Sequence, residues 1–343
     1  DFRRRFDLFD SHKYAIGGQS TIHTAKDLET KQEVILKQIS NDQNGISQSA
    51  MRERYALERF QSCDNIVKMI KCYAENGYHL FVLEKCEIDL SELQKLYRQQ
   101  NKQLLASHRH LILNHLVTAL QLIHSKNYCH RDVKLSNLLI KNQIVKLCDF
   151  GLCINCCFEP EQGSGSVIYQ APELHLNERK HLKENDMWAV GMVCLSLVLG
   201  CDDEELSWLD MVSGSQGQQN SAKILKQIAK LIGNPEKNEL KVNEAYFQCY
   251  FDGVKTDGVI DEVLEQFGAS QIEKAVIKGC MKWNHNERLT AEQVLEITSE
   301  AEMQNIFGRK YEVDELRFTQ REQCKLKQSV CDFDAPLADL NME

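Results

Sequence analysis

The chain has 343 residues, of which 43% are hydrophobic and 27% charged, and its formal net charge is -9 at pH 7. This is enough material for two packed lobes or two domains, while the negative balance argues against nucleic acid as the main ligand, because phosphate backbones bind to basic surfaces. We find no secretory leader, no apolar run long enough to span a membrane, and fourteen irregularly spaced cysteines, which indicates an intracellular protein of the cytoplasm or nucleus with reduced thiols.

The first part of the chain alternates apolar and polar residues in a way that predicts strands over 14–22, 34–39, 66–70 and 78–83. A helix predicted over 47–60 interrupts these strands, because apolar residues recur there at helical spacing. Its expected buried face consists of Met51, Tyr55, Leu57 and Phe60. The pattern predicts a small β-rich lobe over 7–85.

From residue 89 onward the apolar spacing becomes helical. A long amphipathic helix is predicted before His130, with its apolar stripe at Ile112, Leu116, Ala119, Leu120 and Ile123. The apolar run from Met187 to Leu199 is too short for a membrane span and predicts a helix buried inside a lobe. These signals predict a larger helical lobe over 86–303, and therefore an α+β chain.

Three weaker signals complete the organisation of the helical part. Thr290 and Gln293 have capping-box spacing, which predicts the start of a further helix. The stretch from Ser213 to Ser221 is rich in Gly, Ser and Gln and is interpreted as a surface loop. Regular spacing fades after about Met303, so that residues 304–343 are interpreted as a polar tail.

Three short motifs follow one another in a fixed order. Residues 130–137 read H-R-D-V-K-L-S-N, residues 149–151 read D-F-G and residues 171–173 read A-P-E. Upstream of them, Lys37 lies on a predicted strand and Glu53 on the predicted helix, where the two can form an ion pair. A lone pair of this kind is commonly solvated. Together with the motifs, however, it provides what phosphoryl transfer needs: a cation for the phosphates, oxygens for Mg²⁺ and a carboxylate for the attacking hydroxyl.

These motifs resemble those of eukaryotic protein kinases. The resemblance implies a bilobal protein-kinase fold that uses ATP and Mg²⁺, with a small β-rich N-lobe that contains one key helix and a larger helical C-lobe. It places the activation segment at 149–173 and an insert at about 202–243 of the C-lobe. The catalytic roles that it implies are phosphate positioning by Lys37 with Glu53, general base for Asp132, γ-phosphate contact for Lys134, and magnesium binding by Asn137 and Asp149.

Two residues resemble the serine/threonine type of these kinases. Lys134 stands two residues after Asp132, and Ser166 fills a hydroxyl position before the A-P-E motif. The resemblance implies an enzyme that phosphorylates Ser or Thr of protein substrates. The alternative is a weakly active or inactive pseudokinase that acts as a binding scaffold.

Two further stretches resemble the cyclin-dependent-like branch, including the cell-cycle-related kinases. Residues 45–53 read G-I-S-Q-S-A-M-R-E, near the helix on which that branch binds cyclins, and residues 83–90 read L-E-K-C-E-I-D-L, like its hinge. The resemblance implies a cyclin-like activator at the helix around Arg52 and Glu53. It also implies that the nucleotide contacts Ala15, Gly17, Ser20, Ile22, Ile35, Lys37, Leu83, Glu84, Cys86, Asp89 and Leu139.

Several positions depart from the family pattern on the nucleotide side. The three phosphate-loop glycines fall at Ala15, Gly17 and Ser20, so that one glycine remains, and Cβ atoms restrict a loop of this kind. Ile35 replaces the small alanine above the adenine ring, which narrows the pocket and predicts weaker ATP binding.

The activation segment departs from the pattern as well. Glu161 stands where related kinases carry an activating phosphothreonine, and its charge could meet Arg52 and Arg131 without phosphorylation; the alternative is a solvated acidic residue, with Ser164 as phosphosite. Gln170 replaces the arginine that favours proline after the target residue, so that proline-directed specificity stays open.

The cysteines leave further alternatives open. A cluster at Cys153, Cys156 and Cys157 could bind zinc or sense redox state, but no second Cys/His pair follows at finger spacing, and free thiols are the simpler interpretation. Cys148, next to Asp149, is interpreted as a small packing residue, with a thiol in the nucleotide pocket as the alternative.

Overall fold

A computed structural model describes residues 5–8, 15–17, 20–41, 47–75, 77–158, 165–176, 183–204, 218–236, 239–240, 247, 251 and 257–300. All of these residues belong to one compact unit, Asp1–Gln304. The predicted polar tail lies outside the described residues.

A six-stranded antiparallel sheet forms the small lobe. Its strands are β1 (Phe6–Leu8), β2 (Ala15–Gly17), β3 (Ser20–Asp27), β4 (Glu33–Ser40), β5 (Met69–Glu75) and β6 (Tyr78–Glu84). The order is β1-β3-β4-β6-β5, and β2 pairs with β3. Strand β4 is the central strand on the route to the site, because its register sets Lys37 opposite Ile22 on one side and Phe81 on the other.

Two of the four predicted strands differ from the structure. The stretch 14–22, predicted as one strand, divides into β2 (Ala15–Gly17) and the start of β3 (Ser20–Asp27), which pair with each other in antiparallel fashion. The stretch 66–70 was expected to be a strand, but β5 begins only at Met69 and runs to Glu75. Before it, Ile66 makes an isolated bridge to Leu147, and Val67 donates its amide to the Leu147 carbonyl. The apolar run therefore packs the sheet against the larger lobe rather than extending the strand.

Helix α1 (Gln48–Phe60) lies where the helix was predicted, but half of the predicted buried face is wrong. Met51 and Tyr55 are 46% and 51% exposed. The inward face instead consists of Ala50, Glu53, Ala56, Leu57 and Phe60. The prediction is wrong at these two positions because hydrophobic spacing assumes that charged side chains face solvent, whereas Glu53 faces inward toward Lys37.

The larger lobe is helical. Its helices are α2 (Leu90–Gln99), α3 (Ala106–Ser125), α4 (Pro172–His175), α5 (Lys183–Leu199), α6 (Gln218–Ile232), α7 (Ile260–Gln266), α8 (Gln271–Cys280) and α9 (Ala291–Glu300). The five predicted stripe residues of α3 are all buried, and α5 is buried along most of its length, as its apolar run predicts. The α+β, two-lobed fold class is confirmed.

The helix ends follow local chemistry. The predicted capping box at Thr290 forms, since the Thr290 amide donates to Gln293 Oε1 at 2.9 Å and the Gln293 amide to Thr290 Oγ1 at 3.2 Å. The loop prediction for Ser213 to Ser221 is wrong in its second half, because α6 already begins at Gln218. Gln forms helices readily, whereas apolar spacing becomes visible only from Ile224; residues 213–217 lie outside the described part.

Two small sheets shape the floor of the cleft between the lobes. Strands β7 (Ile88–Asp89), β9 (Leu138–Lys141) and β10 (Ile144–Leu147) form one, and β8 (Tyr128–Cys129) pairs with β11 (Ile154–Asn155) in the other. The 130–137 motif connects β8 to β9, and the 149–151 motif follows β10 directly. Within the described part of the chain, no helix is long and apolar enough to cross a membrane.

Candidate active site

Lys37, Glu53 and Asp149 meet inside the cleft. Lys37 Nζ lies 2.8 Å from both Glu53 carboxylate oxygens and 2.8 Å from Asp149 Oδ1. Burial works against the charge of Lys37, but the two carboxylates outweigh burial and raise the pKa of its ammonium above the usual value. A fixed cation therefore joins strand β4, helix α1 and the 149–151 motif at one point.

Asp149 is held by backbone geometry and by its neighbours in the chain. It adopts a left-handed conformation with φ +60° at the end of β10, which turns its side chain toward Lys37. The ring of Phe150 packs edge-on against His130 at 4.8 Å, and Arg52 donates to the Gly151 carbonyl at 2.9 Å. Burial tends to raise the pKa of Asp149, but Lys37 holds it below its usual value, so that the carboxylate is ionised.

Asp186 on α5 fixes the start of the catalytic loop, which consists of residues 130–137 between β8 and β9. Its two carboxylate oxygens accept the backbone amides of His130 and Arg131 at 2.8 Å each, and His124 Nε2 lies 2.9 Å from Oδ2. Against burial, these partners hold the pKa of Asp186 below its usual value. They stabilise the left-handed Arg131, with φ +72°, which then presents Asp132 to the cleft. Asp186 therefore acts as a scaffold residue that holds the backbone of this loop in place.

Asp132 stands at the centre of a polar network. Its Oδ1 accepts the Ser166 amide at 2.8 Å and the Ser166 hydroxyl at 3.0 Å. Its Oδ2 accepts Asn137 Nδ2 at 3.0 Å and forms an ion pair with Lys134 Nζ, also at 3.0 Å. Lys134 Nζ in turn donates to Ser166 Oγ at 2.8 Å. The Asp132 carboxylate, the Lys134 ammonium and the Ser166 hydroxyl of the activation segment thus contact one another.

The oxygens of Asn137 and Asp149 suit a magnesium ion. Asn137 Nδ2 donates to the Asp132 carbonyl at 2.7 Å as well as to its carboxylate, which leaves Asn137 Oδ1 as the acceptor for another ligand. Asp149 uses Oδ1 for Lys37 and has 45% of its side chain exposed. Carboxylate and amide oxygens are the ligands that a hard cation prefers, so the residues present fit the ion.

The predicted adenine side lies on β6 and the small sheet below it. Strand register sets Ile35 directly opposite Leu83, and Asp89 directly opposite Leu139. Asp89 also accepts the Glu92 amide at 2.9 Å, so that it caps helix α2.

The side chains of two predicted nucleotide contacts in the hinge, Glu84 and Cys86, are occupied by other interactions or buried. The Glu84 carboxylate binds Lys141 at 2.8 Å and Lys146 at 3.1 Å, which leaves only its backbone for a nucleotide. Burial raises the pKa of Cys86 to about 12, so its thiol is neutral.

The phosphate loop is described in part. Ala15 and Gly17 lie on β2, opposite Ile22 and Ser20 of β3. The turn between the strands lies outside the described residues, as do Glu161 and Ser164 of the activation segment.

Sequence reasoning missed Asp203, which ties the catalytic loop to the activation segment. Its carboxylate accepts the Tyr169 hydroxyl at 2.6 Å and the Ser136 amide at 3.0 Å. No motif signals this residue, because it follows helix α5 at a long sequence distance from both partners. A second link between segments far apart in sequence is the ion pair in which Arg288 donates to Glu173 through two hydrogen bonds of 2.7 Å.

The zinc alternative for Cys153, Cys156 and Cys157 gains no support from the geometry. Among the described residues, no group of three or more His, Cys, Asp or Glu side chains is arranged to bind a metal ion. Cys148 is part-buried, and burial raises its pKa well above the usual value, so its thiol is neutral.

The chain matches the protein kinase domain family over residues 11–298, and it belongs to that family. It is 27% identical to Extracellular signal-regulated kinase 2 of Dictyostelium discoideum, over 85% of this chain and 78% of that protein. It is also 27% identical to Cyclin-dependent kinase-like 4 of Mus musculus, over 83% and 80%. Cyclin-dependent kinase E-1 of Arabidopsis thaliana is 28% identical over 75% of this chain and 57% of that protein. The chain is a serine/threonine protein kinase, and at this low identity its relatives include both cyclin-dependent-like and extracellular signal-regulated kinases.

Proposed function

We propose that this kinase transfers the γ-phosphoryl group of ATP to Ser or Thr hydroxyls of protein substrates, with Mg²⁺ held by Asn137 and Asp149. The observation that carries the proposal is the contact of Lys37 Nζ with both Glu53 and Asp149 at 2.8 Å. A scaffold has no need of a buried cation that joins the two sides of the cleft, whereas phosphate positioning requires one.

The residues on the floor of the cleft then have separate roles in the transfer. Asp132 accepts the proton of the substrate hydroxyl, and its position is fixed by the bonds from Asn137 and Ser166. Lys134, at 3.0 Å from Asp132, brings a positive charge to the phosphoryl group in transit. A bound magnesium ion neutralises phosphate charge.

The test is transfer of labelled phosphate from ATP to a mixture of Ser/Thr peptides, with and without Mg²⁺, by the wild-type chain and by Asp132→Asn. Loss of a general base lowers the rate by about 10²–10⁴-fold. The amide oxygen of the variant can still accept from Ser166, but its amide nitrogen faces the donors Asn137 Nδ2 and Lys134 Nζ. We therefore expect a folded protein with a somewhat lower melting temperature, and the melting temperature shows that the loss of transfer is not a loss of folding. Equal transfer by both proteins would contradict the assignment of Asp132, and Mg²⁺-dependent nucleotide binding without transfer would favour the scaffold alternative.

The exposed side of α1 supports a cyclin-like partner at this helix. Met51 and Tyr55 are about half exposed, on the helix that carries Glu53, and apolar side chains of this size on a surface mark binding sites when they cluster. Two of the relatives carry the word cyclin in their names. We expect a cyclin-like protein to co-purify with the wild type and not with Tyr55→Ser, and transfer by the chain alone at full rate would contradict a need for it.

A further inference from the structure

Cys129 and Cys156 come together next to the catalytic loop. Cys129 ends β8, directly before His130, and Cys156 directly follows β11. The two strands pair with Cys129 opposite Ile154, and the Cys156 amide donates to the Asn127 carbonyl at 2.8 Å. This pairing brings the two Sγ atoms to 3.6 Å.

The two thiols have different environments. Cys129 is fully buried, whereas Cys156 is part-buried. The hydrogen bond with Cys129 holds the pKa of Cys156 below its usual value against the effect of burial, and Lys183 adds to this effect. The same hydrogen bond, together with burial, raises the pKa of Cys129. A part-buried thiol with a second, buried thiol 3.6 Å away is the arrangement of a peroxide-sensitive pair, and the lowered pKa of Cys156 favours it as the thiol that reacts first.

We propose that Cys129 and Cys156 are a modification site, at which a peroxide converts the two thiols into a reversible disulfide between the catalytic loop and the activation segment. The Cys156 thiol first releases its proton. Its thiolate attacks one oxygen of hydrogen peroxide, the O–O bond breaks, a sulfenic acid forms, and the released hydroxide takes up the proton to become water. Cys129 then attacks that sulfur while its thiol proton passes to the leaving hydroxyl, and a second water leaves as the S–S bond closes. Two thiols are oxidised, one peroxide is reduced, and a dithiol restores the pair.

Closure requires little movement. A disulfide has an S–S distance of about 2.05 Å, so the two sulfurs must approach by roughly 1.5 Å, and their backbones are already joined by the β8–β11 pairing. The bond would hold the chain after Gly151 against the chain before His130. Oxidation would hold in place the two segments that carry Asp132 and Asp149. That this regulates a kinase reaction rests on the proposed function.

The neighbouring cysteines have different properties. Cys153 is buried, and burial raises its pKa. Cys157 is exposed, and its sulfur accepts Asn127 Nδ2 at 3.1 Å rather than a thiol. Cys157 therefore serves as the matched control: it is adjacent to Cys156, more exposed, and without a resolving partner in the described structure.

The experiment treats the full chain with limiting hydrogen peroxide, blocks the remaining thiols by alkylation in denaturant, and maps the peptides without reduction. We expect a Cys129–Cys156 cross-linked peptide as the major oxidised species, its loss in Cys156→Ser and in Cys129→Ala, its retention in Cys157→Ser, and its reversal by dithiothreitol. Melting temperatures establish that each variant folds. Because Cys156 is part-buried, Cys156→Ser keeps the test valid if Cys129→Ala fails to fold.

Two results would overturn the proposal: oxidation of Cys156 to a sulfinic acid with Cys129 still alkylated, or a cross-link that involves Cys157 instead. A second readout is hydrogen exchange of the peptide over 153–158, which should slow in the oxidised chain. Faster exchange would show that the disulfide does not hold this segment in place. Neither readout uses phosphate transfer, so a failure here is distinguishable from a failure of the kinase assay.

Discussion

The floor of the cleft, which is the helical lobe with the 130–137 motif and the activation segment, and its roof, which is the six-stranded sheet with α1, are built in different ways. The floor depends on directed bonds between buried polar groups, such as those from His130 and Arg131 to Asp186. The roof is a sheet with an aliphatic and aromatic core, namely Phe6, Ala25, Val34, Leu36, Leu80 and Val82. Directed bonds fix the position of each atom, whereas apolar packing tolerates changes of similar volume.

The difference explains where this chain departs from its family. The residues of the 130–137, 149–151 and 171–173 motifs are retained, and the departures on the floor are Glu161 and Gln170 of the activation segment. On the roof, Ile35, Ala15 and Ser20 replace smaller residues. We infer that the roof changes alter the fit to the nucleotide and leave the transfer step intact. Substitutions in the floor and in the roof can test whether nucleotide fit and the transfer step are independent in this way.

The largest effect is expected from Gly165→Ala, on the floor. Gly165 has φ +97°, and a Cβ there would lie 2.5 Å from the Arg131 carbonyl oxygen. Because a backbone atom cannot move aside, the segment must shift and take Ser166 away from Asp132. A misplacement of about 1 Å in a catalytic site costs about 100-fold in rate. Steady-state kinetics should therefore show a kcat/KM about 100-fold lower.

Gly268→Ala is the matched control for this variant. Gly268 also has a positive φ, +64°, but no atom lies within 4 Å of the added Cβ. We expect a loss of about 1 kcal/mol in the free energy of unfolding, from backbone strain alone, and unchanged kinetics. Equal kinetic losses in both variants would show that strain, and not the contact with Arg131, limits the rate.

A smaller effect, on stability, is expected from acidic pH and arises at His175 in the helical lobe. Burial lowers the pKa of His175, on helix α4, to about 4. In the unfolded chain the pKa is about 6.5, so the unfolded state binds more protons between these values, and stability falls as the pH drops through this window. By pH 5 the loss from this residue is about 2 kcal/mol, because one pKa unit corresponds to about 1.4 kcal/mol.

Urea unfolding of wild type and His175→Gln at pH 7 and pH 5 measures this contribution. Gln is polar and does not titrate, so the variant should be less stable at pH 7 but lose about 2 kcal/mol less between the two pH values. An identical loss in both proteins would mean that other groups, such as the buried His130, dominate the acid sensitivity.

Much of the floor could be predicted from the sequence, because its residues lie in short motifs. Asp132 and Asn137 are close in the chain, and their contact follows from the loop itself. The positions that could not be predicted join segments far apart in sequence. The bond from Tyr169 to Asp203 and the approach of Cys129 to Cys156 depend on how two segments pack, and no pattern of residue types records that packing.

The roof was harder to predict for another physical reason. Hydrophobic spacing assumes that apolar side chains face inward and charges outward, and α1 departs from both rules. Glu53 faces inward because Lys37 neutralises it, and Tyr55 faces outward. The predicted strand over 66–70 was misplaced because Ile66 is buried by its contact with Leu147 of the other lobe. In both cases an interaction between elements overrides the local pattern.

The smallest effect is expected from Ile35→Ala, on the roof. Ile35 is part-buried and stands opposite Leu83 in the sheet, on the side predicted to cover adenine. Removal of its extra carbons should widen the pocket and lower the KM for ATP about tenfold, the effect of roughly one methylene group of misfit. The kcat should not change, because no contact on the floor involves this residue. Initial rates at varied ATP concentration measure both constants.

Leu36→Ala is the control on the same strand. Successive residues of a strand point to opposite faces, and Leu36 belongs to the buried core of the sheet. Its truncation should cost about 2–5 kcal/mol of stability and leave the KM for ATP unchanged. A KM that rises in Ile35→Ala would mean that Ile35 packs against the nucleotide rather than obstructing it, and the roof would then be adapted to ATP by another route.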